Sequence, residues 1–241
     1  MKIFSGPLSM FGAKAQIALL EKGIDATLVM VPYSTEAGYQ PKHPDVLRIN
    51  PKGQVPVLID GDVEIYDSTQ IFEYLEDQYP LPALWPREPG MRAAARRLEL
   101  ASDEVFFANV IKLMRSANST PELRKAARAN IAAYYRLMDD RLTGEQFISG
   151  SEFGYADIAF YMAQLFAAFL GAPMADDTPR LVEWQSRVTD RASVAAVAGA
   201  MARFIALNGM VVPNFLHELS KSPRSKSAAI QPEQASNKLE N

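Results

Sequence analysis

The sequence predicts two domains in series: a small α/β domain over residues 1–80 and an all-α domain over 91–219, joined by a linker at 81–90. Three observations predict this. Short apolar runs of strand character alternate with helix-patterned segments as far as Gln78. Prolines 82, 86 and 89 then interrupt regular structure within ten residues. Beyond them, apolar residues recur at intervals of three and four, as the buried face of a helix requires.

The first domain reads β-α-β-α-β-β-α. Lys2–Ser5 is a short strand broken by Gly6-Pro7. Ser9 precedes a helix that runs through Ala15, Ile17 and Leu20 and stops at Gly23. Ala26–Val31 is a second strand ended by Pro32, and a helical turn is expected around Asp45–Ile49. Val57–Ile59 and Val63–Tyr66 flank Asp60-Gly61-Asp62, a hairpin signal, and Asp67–Gln78 closes the unit as a helix. In the second domain, Met91, Ala94/Ala95, Leu98, Ala101 and Val105 form the expected buried face of the first helix. Thr120-Pro121 opens a second, with Leu123, Ala127, Ile131, Tyr134, Met138 and Leu142 on one face. Further helices are expected at Tyr155–Phe169, Pro179–Thr189 and Ser193–Leu207, and a disordered tail at 220–241.

Composition narrows the function. A formal net charge of −3 argues against a nucleic-acid surface, which needs clustered Lys and Arg. Residues 1–80 carry six Lys/Arg against eleven Asp/Glu, a balance of −5. The absence of cysteine removes disulfides, thiolate metal sites and C-x-x-C redox motifs, and two histidines, His43 and His217, do not make a metal site. The longest apolar run, Ile158 to Leu170, contains Gln164 and is too short for a bilayer. Lys2 is followed by Ile3-Phe4 and then Ser5-Gly6-Pro7, without the apolar h-region of a signal peptide, and the expectation is a soluble cytoplasmic protein.

Five places carry candidate chemistry. Ser9 reads two ways: as a helix N-cap, or as a hydroxyl donor to a bound thiolate, which a helix N-terminus also favours. Asn50-Pro51-Lys52-Gly53-Gln54-Val55-Pro56 runs into an apolar strand. The Val55-Pro56 bond taken alone is expected trans; a cis bond would present the Val55 backbone to an extended peptide. Asp67-Ser68-Thr69-Gln70 has a capping pattern, and doubles as a site where Asp67 attracts an ammonium and Ser68 with helix N–H groups binds a carboxylate. Lys42, His43 and Lys52 are candidate positive charges for a second carboxylate, or solvated loop residues. Leu8, Met10, Phe106, Phe107, Val110 and Met114 are candidates for an apolar pocket, or plain core.

Together, Ser9, Asn50-Pro51-x-Gly53-Gln54-Val55-Pro56-x-Leu58 and Asp67-Ser68-x-x-Ile71-x-x-Tyr74-Leu75 resemble the glutathione S-transferase superfamily. Phe147-Ile148-Ser149-Gly150 before Ala156-Asp157-Ile158 extends the likeness. The resemblance implies a thioredoxin-like domain followed by a helical domain, usually as a homodimer, with glutathione as co-substrate and no metal. Carried onto this chain, Ser9 would hydrogen-bond the glutathione sulfur and Val55, before a cis Pro56, would pair with the cysteinyl unit. Asp67 and Ser68 would hold the γ-glutamyl end, and Gln54 with one of Lys42, His43 or Lys52 the glycyl end. A small hydrophobic electrophile would bind between the domains, against Leu8, Met10, Phe106, Val110 and Met114. Gly154 departs from the Ser or Thr that commonly caps the helix before Ala-Asp, and with Asp157 is expected to keep a weakened capping box.

Phe4-Ser5-Gly6-Pro7 and Glu21-Lys22-Gly23 are also similar to the stringent starvation protein A branch, and Tyr79-Pro80-Leu81-Pro82 partly matches its proline-rich segment. That likeness implies a non-catalytic adaptor for a protein partner such as RNA polymerase; Ser9 favours the enzyme. A glutathione-dependent reductase is disfavoured, because no cysteine is present for mixed-disulfide chemistry.

Overall fold

The computed structural model describes residues 1–114, 119–221 and 230–232. The chain divides into two compact units: Met1–Asp77, joined by the short strand at Ile230–Pro232, and a second that begins at Gln78.

The first unit has the expected thioredoxin-like order: β1 (Lys2–Ser5), α1 (Met10–Glu21), β2 (Ala26–Met30), α2 (Pro44–Ile49), β3 (Val57–Asp60), β4 (Val63–Tyr66) and α3 (Ser68–Gln78). β1 and β2 run parallel, because the chain between them crosses over as α1. β3 and β4 form an antiparallel hairpin closed by the Asp60↔Val63 pair, and β3 lies antiparallel to β1. The sequence offered no element at Ile230–Pro232, yet this segment (β5) adds a parallel strand beside β2, making the order β4-β3-β1-β2-β5. Most of the tail expected at 220–241 lies outside the described residues; Ser220 and Lys221 belong to a helix.

β1 is central and covered on both faces: its successive residues Ile3 and Phe4 point opposite ways and are both fully buried. α1 has almost no solvent face; Ala15, Ile17, Ala18 and Leu19 are fully buried, as is Lys14. The end of α1 is tied to α3 by an ion pair, Lys22 Nζ to Glu76 Oε2 at 2.6 Å, with both side chains buried. A buried pair adds little net stability over an apolar pair, but removing one partner alone is costly.

The second unit is helical: α4 (Pro89–Leu100), a π-helical turn at Ala101–Phe106, α5 (Phe107–Ile111), α6 (Pro121–Arg141), α7 (Tyr155–Phe169), α8 (Pro179–Thr189), α9 (Ala192–Leu207), a 3-10 turn at Asn214–Leu216 and α10 (His217–Lys221). The π-turn corrects one expectation. Met91, in the first turn of α4 ahead of the π-turn, is 52% exposed although predicted to face inward, and Val105, within the π-turn, is 56% exposed. A wider turn adds a residue and rotates the downstream helix, so Ser102 and Phe106 face inward instead. Leu123 of α6 is likewise 51% exposed, and Tyr135 takes the inward position beside Tyr134.

α7 is the axis of this unit, with every residue from Tyr155 to Ala167 buried. Its N-terminus is organised by Asp157. The carboxylate accepts from the backbone N–H of Ile148 at 2.7 Å and of Gly154 at 3.1 Å, and from the Trp184 indole at 2.8 Å. Burial pushes this carboxyl up, opposed chiefly by the Trp184 donor. Glycine has no side chain to return the cap, so only the Asp157 half of the box exists. The reason for glycine is steric: a Cβ at Gly154 would stand 2.8 Å from the Leu84 carbonyl oxygen, which accepts from Tyr155 N–H.

These buried charges lead to two expected stability outcomes. Asp157→Ala strands three buried donors at once and should cost about 3 kcal/mol or more in urea denaturation. Glu76→Ala removes the carboxylate 2.6 Å from the buried Lys22 ammonium, and should cost about 3 kcal/mol. Adding Lys22→Met to Glu76→Ala should recover part of that loss, since the buried charge is then removed together with its carboxylate.

Candidate functional site

Strand register brings the candidate residues together. Phe4 of β1 pairs with Val57 of β3, Val57 pairs with Tyr66 of β4, and Ser5 of β1 pairs with Met30 of β2. One end of the sheet therefore collects four segments: Gly6–Ser9 leaving β1, the loop leaving β2, residues 50–56 entering β3, and Asp67 leaving β4.

Ser9 caps α1. Its Oγ accepts from Gly12 N–H at 3.0 Å, and its own N–H donates to Gly6 O at 3.1 Å, closing a tight turn. The side chain is largely buried. A hydroxyl that accepts through a lone pair keeps its proton for donation, so the two readings of Ser9 are compatible. The first turn of α1 has no acidic residue to offset the positive end of its dipole. Behind it, the buried Ser5 Oγ accepts from Gln16 Nε2 at 2.8 Å, fastening β1 to α1.

The Val55-Pro56 peptide bond is cis. The loop before it is organised by Asn50, whose Nδ2 donates to Gln54 O at 2.6 Å while its Oδ1 accepts from Lys52 N–H at 2.9 Å. The Val55 side chain packs on the cluster formed by Phe4, Val29, Val31, Val46 and Val57, at the entry to β3. The Lys42 ammonium leans on this loop, 3.0 Å from where a Cβ would stand on Gly53. Lys52 is exposed beside it.

At the fourth segment Asp67 has φ 76°, a left-handed conformation uncommon outside glycine. Its Oδ1 accepts from Thr69 N–H at 3.0 Å and Gln70 N–H at 3.3 Å, capping α3. Ser68 follows with its side chain buried. His43 has a structural task in the fold. Its Nδ1 accepts from Asp45 N–H at 3.2 Å, which caps α2, and its ring lies against Phe4 at 4.7 Å. α2 is further held to β4 by Arg48, whose guanidinium meets Glu64 at 2.6 Å.

Among the apolar candidates, Leu8 is half-buried in the turn before Ser9, and Met10 is buried in the first turn of α1. Phe106 and Val110 are core residues of the helical unit. They are 1% and 0% exposed, and Phe106 is ringed by Tyr134, Tyr135 and Phe160 at centroid distances of 5.2, 5.4 and 5.1 Å. Phe107 is also buried, against Phe166, while Met114 is half-buried. Among the described residues no cluster of His, Asp and Glu could hold a metal ion, and no helix is long and apolar enough to cross a membrane. Sequence reasoning did not single out Asn50 by itself, although an Asn opening a Pro-Lys-Gly loop is a turn signal. It also missed Tyr39, whose hydroxyl accepts from Leu8 N–H at 3.2 Å across 31 residues of chain.

Comparison with known proteins identifies the family. The family model described as the glutathione S-transferase N-terminal domain matches residues 3–83, and that for the C-terminal domain matches residues 102–192. The glutathione S-transferase GstB of Escherichia coli K12 is 32% identical over 163 residues, covering 64% of this chain and 77% of that protein. A stringent starvation protein A homolog of Coxiella burnetii is 30% identical over 107 residues, 44% of this chain and 48% of that one. A sphingomonad glutathione S-transferase solved in complex with glutathione superposes with a TM-score of 0.70 at 27% identity, over 83% of this chain and 98% of the other. With both domain models matched in order, and more than two thirds of a relative covered at such identity, the chain belongs to the glutathione S-transferase family.

Proposed function

We propose that this protein conjugates glutathione to a small hydrophobic electrophile, with Ser9 donating its O–H to the glutathione thiolate. The observation that carries the reading is the state of Ser9: its oxygen accepts from Gly12 N–H, which leaves its proton available for donation at the N-terminus of α1. A free thiol with a pKa of about 8.5 is mostly protonated at neutral pH. A hydroxyl donor and a helix N-terminus both favour the charged form, and the thiolate is the nucleophile. It attacks the electrophile, forming a thioether or displacing a leaving group.

The rest of the peptide is read onto the same sheet end. The Val55 backbone, before the cis proline, pairs with the cysteinyl unit as an added strand. Asp67 and Ser68 at the start of α3 take the γ-glutamyl end, its ammonium on the Asp67 carboxylate and its carboxylate on the helix N–H groups. Gln54 and Lys42 take the glycyl end, Lys42 being favoured over His43 because it leans on the Gly53 loop. The sphingomonad relative solved with glutathione supports this ligand. The family habit supports a homodimer.

The likeness to a stringent starvation protein A homolog favours a second reading, in which the fold serves as an adaptor for a protein partner such as RNA polymerase. Calorimetric titration with reduced glutathione separates the two. Saturable one-site binding is expected; no heat at several times cellular glutathione levels favours the adaptor.

Ser9→Ala should lower kcat with a general electrophile about 100-fold while leaving the glutathione Kd within a few-fold, because the donor acts on charge that the transition state needs. It also removes a helix cap, at about 1 kcal/mol of stability. Ser9→Thr keeps both hydroxyl and cap and should retain more activity. Unchanged turnover in Ser9→Ala would remove Ser9 from the mechanism.

A further inference from the structure

The turn that presents Ser9 is not self-sufficient. Ser9 N–H closes it by donating to Gly6 O, which leaves the amide at its centre, that of Leu8, to find an acceptor elsewhere. That acceptor is the Tyr39 hydroxyl, at 3.2 Å, from the loop that leaves β2. The Tyr39 ring is seated on the same turn: a Cβ on Gly6 would fall 2.1 Å from ring atom Cε1 and 2.8 Å from Cζ. The ring also lies beside Tyr33, with centroids 4.9 Å apart. It packs on the apolar cluster of Phe4, Val29, Val31, Val46 and Val57 that supports Val55 as well. One side chain thus touches the turn that ends in Ser9 and the cluster beneath the Val55 edge.

Burial pushes the Tyr39 phenol up, so it stays protonated through the neutral range, with its oxygen committed to Leu8 N–H. Tyr39 touches none of the atoms assigned to the reaction. Its hydrogen bond is to the backbone of the turn that leads into Ser9.

We propose that Tyr39 is a positioning residue for the thiolate donor: its hydroxyl holds the Leu8 amide, and its ring on Gly6 fixes the turn that aims the Ser9 O–H. The proposal rests on the reading of Ser9 as that donor. Losing the hydroxyl would free the turn to rotate, and a small misplacement of a donor costs far more in reactivity than in binding. The ring should matter to affinity and the hydroxyl to activation, so removing each in turn separates the two.

The test uses the full chain as wild type, Tyr39→Phe and Tyr39→Ala. For each, the ultraviolet absorbance of bound glutathione thiolate is titrated against pH, the glutathione Kd is measured by calorimetry, and kcat and Tm are recorded. Tyr39→Phe is expected to keep Tm and Kd within about twofold of wild-type binding while raising the pKa of the bound thiol. Its kcat at neutral pH should fall about tenfold and recover at alkaline pH. Tyr39→Ala should add a loss of affinity, because the cluster under Val55 loses its ring. A thiolate titration and kcat in Tyr39→Phe that match wild type overturn the proposal and leave the function standing. Loss of Tm and Kd with an unmoved thiol pKa overturns it too, since that describes packing alone. A wild type that forms no thiolate complex overturns both readings, and is recognised before any variant is compared.

Discussion

The pairing of β1 with β3 is the constraint on which the candidate site depends. Phe4 opposite Val57 sets where the chain leaves β1 and where it enters β3. The Gly6–Ser9 turn and the Val55-Pro56 bond consequently meet at one sheet end. Because β1 is buried on both faces, a one-residue slip would move Ile3 and Phe4 each into the other's environment. The hairpin to β4 then carries the same register on to Tyr66, and so places Asp67. Residues almost sixty positions apart in sequence are gathered by three strand pairings.

The site itself economises on side chains by giving several of them two tasks. Ser9 accepts a helix N–H and still has a proton to offer. Asp67 caps α3 through Oδ1 in a backbone conformation that aims the start of the helix. Asn50 closes its loop in both directions, as donor to Gln54 and acceptor from Lys52. Ser9 and Asp67, which would meet the peptide, are therefore already immobilised by structural hydrogen bonds, and preorganised groups lose little freedom when a ligand binds. His43 illustrates the converse: once its ring nitrogen caps α2, its place in the fold is explained without a ligand.

The helical unit is built on a different logic, in which one buried carboxylate replaces a network of turns. Asp157 gathers the 148 loop, the start of α7 and the Trp184 indole. Trp184 in turn leans on Phe160, which reaches Phe106 and the two tyrosines of α6. The π-turn between α4 and α5 serves this cluster, since it rotates Phe106 into it. An electrophile pocket would be walled by side chains scattered over such helices, and no short motif encodes their arrangement.

The sequence by itself determined the features that rest on local pattern. Alternation and capping residues gave the element order of the first unit, the hairpin at Asp60-Gly61-Asp62, and Ser9, Thr120 and Asp67 as caps. The linked motifs around Pro56 and Asp67 gave the family. These signals are legible because hydrogen bonds within a few residues, and the handedness of a turn, are properties of the local chain. Tertiary structure alone decided the rest. The residues around Val55-Pro56 taken alone favour trans, and the cis bond that the family likeness implied is set by its surroundings. Tyr39 reaches Leu8 across 31 residues, and Gly154 is required by the Leu84 carbonyl seventy positions earlier. β5 pairs with β2 although nothing in its composition marks a strand. Such contacts depend on which distant backbone the fold brings alongside, and a single segment carries no record of that.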